Sequence, residues 1–214
     1  MVSSPQPGHE RARLVALPSP TLAQADDATL ARATSAGDPR ATSVVWDRFS
    51  PLVRRMLRRT LGPHVEVEPL VQRVFVRTVD ELTAVPETVQ LRPLIVGVTV
   101  RVLHQHLKRE RIRRLFRLRG ARASALHTAA DATTRAALGA VYDILDGLDV
   151  NARIAFSLRY FEGMAVAELA SATDSSLAAA RRRLARASAH VRGAVQQASS
   201  LSAYATAASL GEAP

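Results

Sequence analysis

The chain has 214 residues, 47% of them hydrophobic but only 4% aromatic, so it can bury one larger core or two small ones, built from Leu, Val, Ile and Ala. It holds no cysteine, which excludes a disulfide framework and a thiolate metal site. Its net charge of +10 points to a polyanionic partner. Apolar runs that are short and broken by charge argue against membrane insertion, and the opening MVSSPQPGHERAR lacks the apolar core of a secretory signal, so a cytoplasmic protein is expected.

Residues 1–24 are rich in Pro, Ser and Ala without a sustained period, and are expected to be disordered. Asp26 and Asp27 cap a first helix that runs through Ser35 and closes near Gly37. Asp38-Pro39 opens a longer helix with Val45, Phe49, Leu52 and Met56 inward, which Pro51 should bend or break and Gly62-Pro63 ends. A third helix is expected from about Glu66 to Leu82, with Leu70, Val71, Val74, Phe75 and Val79 on its apolar face. A fourth starts near Pro93 and passes Ile95, Val98 and Val102 into an arginine run that stops before Gly120. Residues 118–132 are mostly small, polar or basic and lack a clear period, so they read as a linker. Helices at about 135–146 and 151–161 follow, and Glu162-Gly163 turns the chain. The pattern predicts an all-α protein of two small helical domains, 25–117 and 133–197, with a frayed tail at 198–214.

The charge is concentrated. From Arg101 to Arg122 there are nine basic residues against Glu110 alone, and from Arg181 to Arg192 five against none, so the remainder is slightly acidic. Two basic patches on such a body suit a polyanion touched at two places, and nucleic acid fits better than lipid, because the second patch is backed mostly by Ala and Leu.

The stretch AVAELASATDSSLAAARRRLARA (165–187) organises the reading. Val166, Leu169, Ala170 and Ala172 mark one apolar face, and Thr173 to Ser176 interrupt it. Ser175 or Ser176 can cap a second helix with Leu177, Ala180, Leu184, Ala187 and Val191 inward. Arg181, Arg182, Arg183 and Arg186 fall largely off that face. This is a helix-turn-helix pattern whose second helix can offer arginines to a DNA major groove, although a solvated basic helix would show the same spacing.

Other chemistries find no support. His104 and His106 stand on nearly opposite sides of a helix and cannot share a metal. The glycines are scattered and form no phosphate-cradling loop. The acidic pairs Asp26/Asp27 and Glu66/Glu68 read as helix starts. Neither an enzyme nor a cofactor is expected.

Four stretches taken together, AGDPRATSVVWDRFSPLVRRMLRRTLG (36–62), EPLVQRVFVRTV (68–79), VTVRVLHQHLKRERIRR (98–114) and LRYFEGMAVAELASATDSSLAAARRRLARA (158–187), resemble a bacterial sigma-70 family sigma factor of the extracytoplasmic-function group. The resemblance covers roughly 26–195 and implies a region 2-like domain, a linker and a region 4-like domain. It implies core RNA polymerase and promoter DNA as partners and admits an anti-sigma factor. By position, Leu70, Gln72, Arg73 and Phe75 would dock on the polymerase. Arg101, His104, Gln105, Lys108 and Arg109 would face the minus-10 element, and Ser175, Ser176, Arg181, Arg182, Arg183 and Arg186 the minus-35 element, mostly through phosphates.

The chain departs from that pattern at a few positions. Pro69 and Arg73 stand where acidic residues are usual, Leu94 where tryptophan is, Arg101 where asparagine is common, and Asp174 at the usual turn glycine. Leucine and arginine replace a stacking ring and an amide that would hold an unpaired base. The alternative expectation is therefore a divergent sigma-like regulator that binds DNA or polymerase without opening promoters.

Overall fold

A helical turn, α1 (Pro20–Ala23), precedes the first expected helix, because the Arg48 guanidinium reaches back to the carbonyls of Ala23 and Ala25 at 3.0 and 2.9 Å and to Asp27 at 3.0 Å. The disorder expected for residues 1–24 thus does not extend to Pro20–Ala23. The computed structural model describes residues 20–84, 90–116, 132–198 and 201, so the rest of that expectation, most of the linker and most of the tail lie outside the described residues.

Asp26 and Asp38 cap α2 (Asp27–Ser35) and α3 (Pro39–Leu61), each accepting a backbone N–H at 2.8 Å, from Thr29 and Arg40. Pro51 lies inside α3 without ending it. Its side chain is exposed, as is Asp47 one turn earlier, so the carbonyl that proline leaves without a donor can turn to water. α4 (Glu68–Ala84) and α5 (Leu91–Phe116) complete the N-terminal unit. Val53, Leu57, Val71, Val74, Ile95 and Leu103 are fully buried between them, each contributing about 1.5–3 kcal/mol relative to exposure. Trp46 and Phe75 pack with ring centroids 4.6 Å apart.

The C-terminal unit holds α6 (Ala132–Asp146), α7 (Val150–Phe156), α8 (Val166–Ala172) and α9 (Leu177–Gln197). The expected helix at 151–161 forms, but its last part, Ser157–Phe161, widens into a π-turn in which the Glu162 N–H donates to the Ser157 carbonyl at 3.3 Å. Leu177, expected to face inward, is 41% exposed because it directly follows the N-cap, whereas Ala180, Leu184 and Ala187 are buried. Leu201, in the expected frayed tail, is buried and donates its N–H to the Ala198 carbonyl at 2.9 Å. The described residues contain helices and no strand, an all-α fold.

The two units are packed on each other. Ile154, Leu158, Leu169 and Leu184 of the C-terminal unit join the same buried cluster as Leu57, Val98 and Leu103. α7 and α8 lie against α5, and the π-turn lies against α3.

Candidate nucleic-acid interface

The turn between α8 and α9 follows from hydrogen-bond accounting at a helix end. Ser175 N–H donates to the Ala170 carbonyl at 2.9 Å and Asp174 N–H to the Ser171 carbonyl at 3.2 Å, the paired bonds of a Schellman ending. That ending needs a left-handed residue, and Asp174 supplies it with φ of +46°. Aspartate tolerates this region better than most side chains, so the missing glycine does not cost the turn. The Ser175 hydroxyl pairs with Thr173 at 2.9 Å, while the Ser176 hydroxyl accepts the Ala179 N–H at 3.2 Å and is the N-cap of α9. At the start of α8, the Glu168 carboxylate accepts the Ala165 N–H at 2.9 Å.

Buried Ala180, Leu184 and Ala187 fix the rotation of α9, leaving Arg181, Arg182 and Arg186 exposed beside exposed Ser176. Arg183 is half-buried and turns toward α5. None of these four arginines meets an acidic side chain among the described residues.

The α5 residues are placed differently. Arg101 is exposed but donates to both carboxylate oxygens of Glu81, and Gln105 accepts from Arg77 at 2.9 Å. His104 is half-buried, and Lys108 and Arg109 are exposed further along. His106, next to them, is held below the usual histidine range by burial and by Arg113, Arg73 and Arg109, against the pull of Glu110. Leu94, Arg101, His104 and Gln105 line one side of a cleft of about 1110 Å³ whose other side carries Asp174 and Arg183. Of the candidate DNA contacts, Arg101, His104, Gln105 and Arg183 thus share one cleft, while Lys108, Arg109, Ser175, Ser176, Arg181, Arg182 and Arg186 lie outside its lining.

On α4, Gln72 and Arg73 are exposed, whereas Leu70 and Phe75 are buried at 4% and 7% exposure and offer no surface to a partner in this conformation. Sequence reasoning missed Val76, which is 62% exposed on the same face, one turn past Gln72 and Arg73. An apolar residue on an otherwise polar helix face was the available signal.

The contact between the units was also not foreseen. Arg153 on α7 is 5% exposed, and its Nε donates to the Thr60 carbonyl at 2.9 Å while another guanidinium nitrogen lies 3.4 Å from the Leu61 carbonyl. These carbonyls belong to the last turn of α3, which has no donors of its own for them. Arg153 also pairs with Asp146, which Arg114 of α5 reaches at 2.6 Å. Burial pushes the Asp146 carboxyl up, but Arg114 and Arg153 outweigh it and hold it below its ordinary value. Beside them the Glu162 side chain, 4% exposed, sits 3.0 Å from Arg55 and 3.5 Å from Arg59. The Tyr142 ring packs on Gly62, and its hydroxyl lies 3.4 and 3.3 Å from the Arg58 and Arg59 carbonyls.

A short helix, a left-handed turn and a capped helix with an exposed arginine face make a helix-turn-helix of the kind that DNA-binding proteins use. Residues 138–191, from within α6 to within α9, match the family described as Sigma-70, region 4. Among solved structures, that of CnrH in complex with the cytosolic domain of CnrY is similar, with a TM-score of 0.58 and 22% identity over 81% of this chain and 99% of that one. No curated protein matches the chain. The match places a sigma-70 region 4 at residues 138–191, and the likeness to CnrH shows a shared fold over most of the chain. Among the described residues, no cluster of His, Asp and Glu could hold a metal, and no helix is long and apolar enough to cross a membrane.

Proposed function

We propose that the chain is a transcription initiation factor that associates with core RNA polymerase and directs it to specific promoters. The observation that carries the reading is the α9 face, where Arg181, Arg182 and Arg186 are exposed without acidic partners next to the capped helix N-terminus at Ser176. Such a surface grips phosphates of a minus-35 element, while Arg101, His104, Gln105, Lys108 and Arg109 serve the minus-10 element. Gln72, Arg73 and Val76 form the exposed strip of α4 offered to the polymerase. The protein then works by binding and positioning, without chemistry of its own, in the cytoplasm. The complex of CnrH with the cytosolic domain of CnrY makes a regulator of anti-sigma type a reasonable further partner.

A second reading, a regulator that binds without opening promoters, is favoured by one contact: Arg101 is held by Glu81 at the position where an amide is common. Transcription reconstituted from core polymerase, genomic DNA and this protein, with start sites mapped, decides between them. The first reading expects discrete starts that vanish when Arg181, Arg182 and Arg183 become alanine. Polymerase binding without starts on any template supports the second.

A further inference from the structure

From the outer face of α4 we infer that the polymerase surface receiving this helix is acidic, with a carboxylate that pairs with Arg73 beside an apolar socket for Val76. The inference rests on the polymerase-binding reading above and gives the chemistry of that contact. Pro69, Gln72, Arg73, Val76 and Asp80 are exposed and recur at steps of three and four along one side of α4, because Leu70, Val71, Val74, Phe75 and Thr78 turn the other side into the core. Arg77 donates to Gln105 at 2.9 Å and Glu81 accepts from Arg101, so α4 and α5 run antiparallel, and one turn further back Arg73 falls level with Arg109. Both arginines are exposed, and neither meets an acidic side chain among the described residues. Glu110, the acidic residue next to Arg109 in the chain, is taken by Arg113 at 2.8 Å.

Two features of this face select a protein over a nucleic acid. Val76, 62% exposed, stands on the same side as Gln72, Arg73 and Asp80, where a phosphate backbone would set it against polar groups and a protein can bury it. Asp80 would repel phosphates drawn to Arg73, whereas a protein can meet it with a donor. The sign of the partner follows from the charge that stays unanswered. Burial and then Arg113, Arg73 and Arg109 disfavour a proton on half-buried His106, against Glu110, so the positive field at this edge of α4 and α5 is not neutralised from within. The pattern that the sequence resembles has acidic residues at 69 and 73, which suit a basic partner surface. Arg73 would set like charges against such a surface, and like-charge juxtaposition weakens a complex and rejects wrong partners. Residue 73 thus acts as a selector, favouring a polymerase that carries carboxylates at this contact over one that carries cations.

Binding of the full-length protein to purified core polymerase from the same cells is measured without DNA, and thermal midpoints check that each exposed-site variant is folded. Arg73→Glu should weaken binding by about tenfold or more, because it sets a carboxylate against a carboxylate. Val76→Ser should weaken it by about threefold or more through lost apolar burial, whatever the charge of the partner. The sign is read directly with a zero-length carbodiimide, which joins an amine to a carboxylate. Arg73→Lys should be joined through residue 73 to an Asp or Glu of the polymerase, and Arg73→Glu should not be joined through that residue to any polymerase lysine. Arg73→Glu binding as tightly as the unaltered protein or more tightly, a cross-link from it to a lysine, or no cross-link from Arg73→Lys to a carboxylate would overturn the acidic partner. A loss with Val76→Ser in that case would keep α4 as the docking helix. If no form of the protein binds core polymerase, the initiation-factor reading falls and this inference with it.

Discussion

On α5 three of the seven cations are answered from within the protein, Arg101 by Glu81, Arg113 by Glu110 and Arg114 by Asp146, whereas on α9 no acidic side chain reaches Arg181, Arg182, Arg183 or Arg186 among the described residues. Both helices were legible in the sequence as basic, and charge counting alone treats them as equivalent. The structure separates them. A DNA phosphate that approaches Arg101 must displace a carboxylate, so it exchanges one anion for another. A phosphate that approaches Arg181 meets only water and counterions, whose release favours binding. Arrangement, more than charge, decides which face is ready.

The comparison breaks most visibly at strand opening. On the proposed reading Leu94 and Arg101 stand where a ring and an amide would hold an unstacked base, and the stacking of one base on an aromatic ring is worth roughly 1–3 kcal/mol, about fivefold to 160-fold in rate. Leu94→Trp combined with Arg101→Asn should raise initiation by the reconstituted holoenzyme on relaxed duplex by that factor. The same pair should change little on a template with a pre-opened minus-10 bubble. Equal rates for the starting protein on relaxed, supercoiled and pre-opened templates would show that other residues do the melting.

A smaller effect is expected at the turn that presents α9. Asp174 is the one described non-glycine residue with positive φ. A β-branched side chain there should cost about 1–3 kcal/mol. Asp174→Val should lower the thermal midpoint and weaken minus-35 binding together, while Asp174→Gly keeps both. A normal midpoint for the valine variant would mean that the turn relaxes to another conformation.

The smallest effect sharpens the contrast itself. The Glu81 pair with Arg101 is partly exposed, so it is worth at most about 1 kcal/mol. Glu81→Gln should therefore improve DNA binding through α5 by no more than about fivefold, with the α9 contribution untouched. A drop in affinity would mean that Glu81 orients Arg101 for DNA and does not hold it back.

How much of this could be read in advance depends on the range of each contact. Asp26, Asp38 and Ser176 act within three residues of themselves, and their caps were legible as letters before an apolar period. The tolerance of Asp174 for a left-handed turn was legible for the same reason. Of the two outcomes expected at Pro51 the break does not occur, because whether a proline breaks a helix depends on which side faces water, and neighbours across the core settle that. Leu70 and Phe75 showed the reverse problem: resemblance gave them a docking role, and packing placed them inside. The roles of Arg153 and Glu162 were not legible because their partners lie about a hundred residues away, at a helix end whose unpaired carbonyls carry no sequence signature. A linker of small polar residues suggested two independent units, and nothing in its letters records that the units meet.

The claim that α9 is the ready DNA-gripping face is tested most directly by salt dependence. Binding of the full chain to duplex DNA carrying the minus-35 element is measured across salt concentrations for the unaltered protein, for Arg181→Ala/Arg182→Ala/Arg183→Ala, and for Arg101→Ala. The account predicts that the triple variant lowers the slope of log affinity against log salt by roughly 0.9 for each phosphate no longer neutralised, with the fold intact because alanine is a good helix former. It predicts that Arg101→Ala leaves that slope nearly as it was. An unchanged slope for the triple variant, or a larger change for Arg101→Ala, would contradict it.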